Sequence, residues 1–418
     1  MKTAASSRRN ALDALWAHHH GEFRDPGGVA VSWHPPSEVD PALLAYRIRG
    51  DFWGAVRRAG STLLVTREYE HLVMALAMVH GRPRLSYLRL PHPNGIAVDT
   101  REKRVHIAST RNPNVVFEFA PVRSFLRRAG TRVVPADLAR TLIPVRSRML
   151  PGSLYVHDLA LVGGRLHANA VGLNAVIDLS EPDGFRTVWW PRCIDAAGGP
   201  RFDRNYLQLN SIAAGHDLAS SYFAASAARP SSRRPGHLNF QVDGRGVIFS
   251  GRTREVVATG LTRPHSARLS GGELWVDNSG YGQVGRIVRG RFEPAVELRG
   301  WTRGLCIRNG LAFVGTSRVI PRFRSYAPGL DCDRTEAGVH AVDLDTGRIL
   351  GSLIWPTGNQ VFGVALSGFA TVGFPAGIGE RAEGLQRRLF SAGLATANAE
   401  LPIRARPAVR PRARPGAR

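Results

Sequence analysis

Short runs of apolar residues, each about five residues long, follow one another over residues 41–375 of this 418-residue chain. Some runs alternate apolar and polar positions, others are continuous, and Gly, Asn or Asp residues separate them. Runs of this kind predict β-strands; examples are STLLVT, RVHIAS, HDLALV, NAVIDL, ELWVDN and LAFVGTS. Only EYEHLVMALAM and residues 124–139 are also compatible with helix. The pattern therefore predicts an all-β protein: a sandwich, a barrel or a propeller.

One motif recurs along the chain: one or two polar or histidine residues are followed by a short apolar run that predicts a strand. It is found as FWGAV at 52, HPNGIAV at 92, VHDLALV at 156, LNSIAAG at 209, HSARLSG at 265, RGLCIRN at 303 and VFGVALS at 361. The intervals of 40 residues from 52 to 92 and 38 from 265 to 303 match one four-stranded propeller blade. We therefore predict a β-propeller of six blades closed by the strand at 361. The alternatives are seven blades, with the last assembled from both termini, or a double sandwich, which would not explain the repeated polar residues.

The two ends of the chain differ from this central region. Residues 1–40 begin with a short predicted helix at 10–19 and then become rich in Pro and Gly, so we predict an N-terminal extension. Residues 376–418 end in LPIRARPAVRPRARPGAR, where alternating Arg and Pro disfavour helix and sheet. We predict a disordered tail there, which leaves residues 41–375 as the propeller domain.

Several longer phrases in the repeats resemble a known protein family. They are YVHDLALVGGRLHANAVG, LQLNSIAAG, TRPHSARLSGGELWVDNSGYGQVG and GWTRGLCIRNGLAFVGTSR, and the similarity spans residues 40–372. The most specific piece is PHSARLSGGELWVDNSGYG, whose polar residues and glycines match in order. On these motifs the chain resembles an uncharacterised bacterial family of conserved hypothetical proteins, a domain of unknown function. The resemblance implies a propeller fold and supplies no reaction.

The net charge of +23, from 56 Lys and Arg against 33 Asp and Glu, marks a basic protein and raises the question of nucleic-acid binding. Only two of these basic residues are lysines, however, and such an arginine bias is typical of a GC-rich genome. The sequence contains no recognisable nucleic-acid reading module. We therefore expect nucleic-acid contact only as nonspecific attraction by the Arg/Pro tail.

Other sequence features predict a cytoplasmic protein. No run of about 18 apolar residues is present, so we expect no membrane association. The N-terminus lacks the apolar segment of a secretory signal. The three cysteines, Cys193, Cys306 and Cys332, form neither a CxxC pair nor a disulfide framework. Motifs of α/β-hydrolases, P-loop proteins and dinucleotide-binding proteins are also missing from the sequence.

The repeat register places polar residues at the starts of successive innermost strands, where they would converge on the central channel. His92, His157 and His265 are three of them, and three imidazoles from different blades can hold Zn²⁺ or Fe²⁺. A histidine-liganded metalloenzyme of lyase or hydrolase type is therefore one hypothesis. The alternative is that these residues form a polar pocket without metal, or bind only water and backbone groups.

Without a metal, the channel would hold a small anionic ligand or substrate. A histidine titrates near neutral pH and an arginine pairs with carboxylate or phosphate, so His157, His265 and Arg303 are the catalytic candidates. The ligand-binding candidates are Asn210, Ser266, Asn278, Ser279 and Arg318. We predict a propeller that binds a small molecule in its channel, with no reaction assigned. A non-catalytic scaffold for a protein partner is the alternative.

Overall fold

The computed structural model of the protein describes residues 10–18, 39–110, 114–125, 134–135, 140–237, 239–378, 392–393 and 403–404. In this part of the chain, six antiparallel sheets of four or five strands are arranged as blades around one axis. The innermost strand of each blade contacts the innermost strands of both neighbouring blades, so six strands form a closed ring. The prediction of a six-bladed β-propeller is confirmed, and the seven-bladed and sandwich alternatives are wrong.

Each blade is an antiparallel meander that extends outward from an innermost strand at the axis. From inside to outside, blade 1 has Gly363–Leu366, Leu63–Arg67, Leu72–Val79 and Arg82–Arg89; blade 2 has Pro93–Asp99, Arg104–Ser109, Asn114–Pro121 and Leu142–Leu150; blade 3 has Val156–Val162, Arg165–Ala170, Ala175–Asp178 and Arg186–Trp189. Blade 4 has Leu209–Ala213, Tyr222–Ala225, Gly246–Ser250 and Val256–Leu261; blade 5 has Pro264–Ser270, Glu273–Asn278, Gln283–Val288 and Arg291–Glu297; blade 6 has Trp301–Arg308, Leu311–Ser317, Ala337–Asp343 and Arg348–Trp355.

The ring is closed within blade 1. This blade combines its innermost strand, Gly363–Leu366, from the C-terminal side of the chain with three strands from the N-terminal side. Two short strands, Arg47–Gly50 and Ala376–Gly377, extend the outer edges of blades 6 and 1. The prediction that the strand at 361 closes the ring is therefore confirmed.

Burial on both faces explains why many strands are continuous apolar runs rather than alternating ones. In blade 1, Met74 and Leu76 pack into a hydrophobic cluster shared with blade 6, whereas Val73 and Ala75 pack into one shared with blade 2. Neighbouring blades thus cover both faces of the sheet, and both sets of positions are apolar. The sequence EYEHLVMALAM, compatible with strand or helix by its pattern, forms the strand Leu72–Val79 for this reason.

The predicted first repeat, FWGAV at 52, is not a strand. Residues Phe52–Ala59 form an α-helix. Asp51 Oδ1 accepts a hydrogen bond from the backbone N–H of Gly54 at 3.0 Å, and Gly60 ends the helix in the left-handed conformation. The apolar side chains on its buried face have helical spacing: Phe52, Ala55, Val56 and Ala59. The interval from 52 to 92 therefore does not measure a blade.

Helices are few in the part of the chain that the structure describes. The predicted helix at 10–19 is confirmed for residues 10–18. The remaining α-helix is the short Pro41–Leu44, and 3-10 helices are formed by Val171–Leu173, Arg192–Ile194, Ser279–Tyr281 and Pro321–Tyr326. None of the described helices is long and apolar enough to cross a membrane.

The predicted disordered tail lies outside the described residues, except for the segment up to residue 378 and two short strands. These strands, Ala392–Gly393 and Ile403–Arg404, pair with Ser124–Phe125 and Val134–Pro135. The segment from 124 to 139, for which a helix was the alternative, is thus extended wherever it is described.

The innermost strands are joined near their starts by a belt of side chains. Asp158 of blade 3 accepts a hydrogen bond from the backbone N–H of Ile212 in blade 4 at 3.1 Å. In the same way, Ser211 accepts from the backbone of blade 5 at 2.9 Å, and Ser266 accepts from the backbone of blade 6 at 2.7 Å. These bonds satisfy backbone donors that the sheets leave unpaired at the axis. We call Asp158, Ser211 and Ser266 the channel belt.

His340 of blade 6 makes the stability of the protein dependent on pH. Its ring nitrogens bond to Thr316 Oγ1 and Ser352 Oγ, both at 2.8 Å, and burial lowers its pKa to about 4. The pKa of a histidine in an unfolded chain is about 6.5. The unfolded state therefore takes up the proton first, and the free energy of unfolding falls as the pH drops from about 6.5 to about 4. We expect His340 to contribute a decrease of roughly 2 kcal/mol between pH 7 and pH 5.

Urea unfolding of the wild type and of His340→Gln over this pH range measures that contribution. The variant should show the shallower pH dependence, whatever its stability at pH 7. Parallel pH profiles for the two proteins would contradict the expectation.

Candidate ligand-binding site

The start of the innermost strand has the same local conformation in blades 2 to 5. The residue just before each strand has a positive φ, between 41° and 54°; these residues are His92, Tyr155, Gln208 and Arg263. The second residue of each strand follows two positions later: Asn94, His157, Asn210 and His265. The residue of blade 2 that is equivalent to His157 is therefore Asn94. The predicted equivalence of His92 is wrong by two positions.

A cavity of about 80 Å³, which we call the central cavity, lies where these strand starts meet. The residues that line it from the inner strands and the turns before them include Tyr155, His157, Arg263, His265, Trp301, Arg303 and Phe362. A small extension of about 10 Å³ shares four of these residues and adds Asn210 together with the channel belt. The channel belt therefore forms part of the wall of the extension.

Aromatic rings form much of the wall of the central cavity. Phe323, on the 3-10 helix Pro321–Tyr326 of the blade 6 loop, has its ring centre 5.5 Å from that of Trp301. The same ring lies 6.4 Å from Tyr69 and 5.9 Å from Tyr326. The wall thus combines aromatic rings with polar and charged side chains, and such concave sites bind small organic molecules that have both apolar and polar groups.

Two arginines are buried in this wall. Arg263 and Arg303 are 4% and 6% exposed. The guanidinium carbon of Arg263 lies 3.8 Å from the ring centre of Tyr326, and that of Arg303 lies 3.3 Å from the ring centre of Phe362. Such stacking holds each guanidinium in place over an aromatic face.

The hydrogen-bonding capacity of these two arginines is largely unused. Arg263 Nη1 is 3.5 Å from Ser226 Oγ, and Arg303 Nη2 is 3.4 Å from His157 Nδ1. Arg263 Nε and Nη2 and Arg303 Nε form no hydrogen bond of normal geometry with a described residue, although the Tyr326 side chain interacts with the Arg263 guanidinium and raises its pKa. No described carboxylate lies within 4.0 Å of either guanidinium. N–H groups of both guanidiniums therefore have no described hydrogen-bond partner, and no described carboxylate is in direct contact with either charge.

Burial lowers the pKa of Arg263 and of Arg303 to about 10. The charge of Arg303 lowers the pKa of Arg263 further, whereas the carboxylate of Glu68 acts in the opposite direction on Arg303. Both guanidiniums still carry their charge at neutral pH. The central cavity is consequently electropositive.

His265 is held as a neutral ring beside these charges. Its Nδ1 lies 2.9 Å from the backbone oxygen of Arg263 and 2.9 Å from Ser279 Oγ. A carbonyl oxygen only accepts, so Nδ1 carries the hydrogen and Nε2 is left as an acceptor. Burial and then the charges of Arg303 and His157 lower the pKa of His265 well below the usual value. His157 and Arg303, the other two catalytic candidates, line the same cavity.

His92 is not among the residues that line the central cavity. Its ring centre is 4.5 Å from that of His71, and its Nδ1 is 3.7 Å from Glu68 Oε1. Among the described residues, no three His, Cys, Asp or Glu side chains are grouped so as to hold a metal ion. The predicted Zn²⁺ or Fe²⁺ site at His92, His157 and His265 is therefore not formed. The reason is the register: His92 precedes its strand, whereas the other two histidines lie within theirs.

Two of the predicted ligand-binding residues line the extension. Asn210 is there, and its Nδ2 donates to Ser226 Oγ at 3.0 Å and to the backbone oxygen of Pro264 at 2.8 Å. Ser266 is there as part of the channel belt, and its hydroxyl oxygen accepts from the backbone of Gly304.

Two other predicted ligand-binding residues act within blade 5. Both polar atoms of the Asn278 amide form hydrogen bonds within the protein. Oδ1 accepts from the backbone N–H of Thr262 at 2.7 Å, and Nδ2 donates to Gln283 Oε1 at 3.1 Å. Ser279 donates to the backbone oxygen of Thr302 at 2.6 Å and orients His265. Neither residue lines the cavity, and Ser279 acts on it only through His265.

Arg318, also predicted to bind the ligand, lines the central cavity but is occupied by the N-terminal helix. Its Nη1 lies 2.8 Å from Asp13 Oδ1, and its Nη2 donates to the backbone oxygen of Leu12 at 3.0 Å. Nη2 also donates to Asn359 Oδ1 at 2.7 Å. Helix 10–18 is thereby attached at the rim of the cavity, where Trp16 lies with its ring centre 6.4 Å from Tyr69.

Sequence reasoning missed Arg263 and most of the aromatic wall. Arg263 directly precedes PHS, at the place that Tyr155 and Gln208 hold in their repeats, so the repeat alignment contained a signal for it. Phe323 and Tyr326 come from a loop insertion without any repeat, and no sequence pattern points to them.

Comparison with known proteins shows the family to which the chain belongs. No curated protein matches this sequence. Among solved structures, a chain of the nidogen/laminin complex matches with 11% identity and a TM-score of 0.48, over 74% of this chain and 98% of that one. A gluconolactonase from Xanthomonas campestris matches with 14% identity and a TM-score of 0.43, over 71% of this chain and 86% of that one. The domain of unknown function DUF4915 matches residues 50–371, and the chain therefore belongs to this family.

Proposed function

We propose that the protein binds a small organic anion in the central cavity, with Arg263 and Arg303 as the anion-binding residues. The observation that carries this proposal is the pair of buried guanidiniums with unused N–H groups and no described carboxylate within 4.0 Å. A buried charge without a partner is costly, by several kcal/mol in most proteins. An anionic ligand would supply the missing partner.

The shape of the cavity supports an organic anion rather than an extended polymer. Its walls are aromatic, and its volume of about 80 Å³ accommodates a molecule of only a few non-hydrogen atoms. Planar guanidiniums stacked on Phe362 and Tyr326 present N–H groups at fixed angles, as carboxylate recognition requires. His265, as a neutral ring beside the anion site, and His157, which lines the same cavity, are the groups that we propose for proton transfer if the bound anion reacts.

The proposal includes a cytoplasmic location. The three cysteines are free thiols, as expected in a reducing compartment.

Binding of acetate, propionate and inorganic phosphate to the wild type, Arg303→Met and Arg308→Met tests the proposed site. Arg308 is the matched control, because it lies on the same strand but is exposed. We expect Arg303→Met to weaken binding of the best of these anions at least about 30-fold, and Arg308→Met to leave it unchanged. Isothermal titration calorimetry measures both effects.

The melting temperatures of the wild type and Arg303→Met without anion show whether Arg303 binds a ligand or only stabilises the fold. Since the wild type buries the Arg303 charge without a described carboxylate in direct contact, Arg303→Met should be at least as stable as the wild type. A large loss of stability in Arg303→Met, or no anion binding by the wild type, would contradict the proposal. The second result would favour the protein-scaffold alternative.

A further inference from the structure

The central cavity and its extension contain acceptors as well as donors. Asn210 Oδ1 and Gln360 Oε1 are buried and have no hydrogen-bond partner among the described residues. Asn210 is 3% exposed and Gln360 is 4% exposed. An anion satisfies donors only, so an unpartnered acceptor next to the anion site favours a ligand that also carries a donor group. This inference rests on the proposed anion-binding function and specifies the ligand of the same site.

The orientation of the Asn210 amide is fixed by its surroundings. Its nitrogen lies 2.8 Å from the backbone oxygen of Pro264, which can only accept, and 3.0 Å from Ser226 Oγ. The nitrogen must therefore face blade 5 and Ser226. Oδ1 is left as the free polar atom of the side chain, and it is an acceptor.

Asn210 lines the extension of the central cavity, whose volume of about 10 Å³ matches a single oxygen atom. The extension shares Arg303 with the central cavity, so a group bound there is close to the anion site. A hydroxyl on a carbon next to the anionic group could reach Asn210 while the anion contacts Arg303. A larger substituent would not fit this space.

The buried guanidiniums favour a small carboxylate. Arg263 and Arg303 contribute two positive charges, and no described carboxylate lies within 4.0 Å of either. Arg318 is compensated by Asp13, and Arg268 by Asp158. The two oxygens of a carboxylate can each accept from one of the two guanidiniums, and the group is small enough for a cavity of about 80 Å³.

The same charges decide which donor group the ligand carries. An ammonium group would add a positive charge beside two guanidiniums, at a site where burial strengthens repulsion. A neutral hydroxyl donates to Asn210 Oδ1 without that repulsion. We therefore propose that the ligand of the central cavity is a small hydroxycarboxylate, whose carboxylate binds Arg263 and Arg303 and whose hydroxyl donates to Asn210.

Three isosteric probes test this inference: lactate, propionate and alanine, which carry OH, H and NH₃⁺ on the same carbon. The wild type should bind one lactate enantiomer about tenfold more tightly than propionate, because propionate leaves Asn210 Oδ1 unpaired. Alanine should bind more weakly than both. Titration calorimetry at constant ionic strength measures all three affinities.

Variants at Asn210 and at Arg303 show which residue binds the hydroxyl and which binds the carboxylate. Asn210→Leu should equalise lactate and propionate, whereas Arg303→Met should weaken both probes together. Gln360→Leu is the matched control, since it removes the other unpartnered buried acceptor and should keep the preference for lactate. Because Asn210→Leu also removes two structural hydrogen bonds and can impair folding, the ratio of affinities in the wild type is an independent readout.

The outcomes distinguish this inference from the proposed function. Equal binding of lactate and propionate by the wild type, with both lost in Arg303→Met, would overturn the hydroxyl inference and keep the anion site. Tighter binding of alanine than of lactate would overturn it in favour of an amino acid. A preference that survives in Asn210→Leu and disappears in Gln360→Leu would overturn the assignment to Asn210. Failure of every carboxylate to bind would overturn the proposed function itself.

Discussion

A chain that ends after Gln360 is expected not to form the propeller. It lacks Gly363–Leu366, the innermost strand of blade 1, which pairs along its whole length with Leu63–Arg67. Without it, Leu63–Arg67 has an unpaired edge, and the ring of inner strands is open between blades 6 and 2. Val364, 3% exposed in the intact protein, is lost from the hydrophobic cluster that blades 1 and 6 share. We expect loss of the cooperative thermal transition and rapid proteolysis.

A chain that ends after Ile378 is the matched control. It keeps the closing strand and the strand Ala376–Gly377, and it lacks only two-residue strands among the described elements. Its melting temperature should lie within a few degrees of that of the full chain. Circular dichroism and limited trypsin digestion compare the two truncated proteins. A cooperative transition at the same temperature in both would show that closure by Gly363–Leu366 is dispensable.

Arg268→Met is expected to destabilise the protein by about 3 kcal/mol. Arg268 of blade 5 pairs with Asp158 of blade 3, with Nη1 to Oδ2 at 2.8 Å and Nη2 to Oδ1 at 3.3 Å. The same guanidinium donates to the backbone oxygen of Ile212 in blade 4 at 3.2 Å, so one side chain joins three blades. Asp158 is only 6% exposed in its side chain, whereas Arg268 is 25% exposed. Removing the arginine therefore leaves a buried carboxylate without its charge partner.

Two further variants separate this buried pair from a general effect of losing an arginine. The double variant Asp158→Asn with Arg268→Met should recover part of the lost stability, because it removes the uncompensated charge. Arg286→Met is the control, since Arg286 pairs with Glu273 at an exposed site, and its loss should cost less than about 1 kcal/mol. Urea unfolding measures all of these free energies. Equal effects of Arg268→Met and Arg286→Met would contradict the structural importance of the buried pair.

The fold could be predicted because its signal is local and repeated. Six of the seven recurring motifs mark the innermost strands, beginning at Pro93, Val156, Leu209, Pro264, Trp301 and Gly363. The seventh motif, FWGAV, lies in a helix. The prediction of a strand there was wrong because five residues are too few to distinguish a strand from a helix. Asp51 and Gly60, which bound the helix Phe52–Ala59, were the contrary signal.

The candidate site could be predicted only in part. His157, His265 and Arg303 were chosen from the repeat, and all three line the central cavity. His92 was included because the repeat was aligned without knowing the strand register. The inner strands are irregular near their starts, with register shifts between Pro93 and Ile96 in blade 2 and between Val156 and Leu159 in blade 3. Such a shift changes which side chains face the channel, and the period alone does not locate it.

The amino-acid sequence alone indicates the all-β class, a propeller of six blades with seven as the alternative, and the strand that closes the ring. These follow from burial of both faces of each blade, which leaves a local pattern of apolar runs and turns. The three-dimensional packing of the blades sets which polar side chains meet at the axis. It packed Arg263 and Arg303 against Tyr326 and Phe362 without a carboxylate within 4.0 Å among the described residues, and it paired Arg318 with Asp13. Charge compensation depends on distances between residues far apart in the chain, and those distances are not encoded in composition or period.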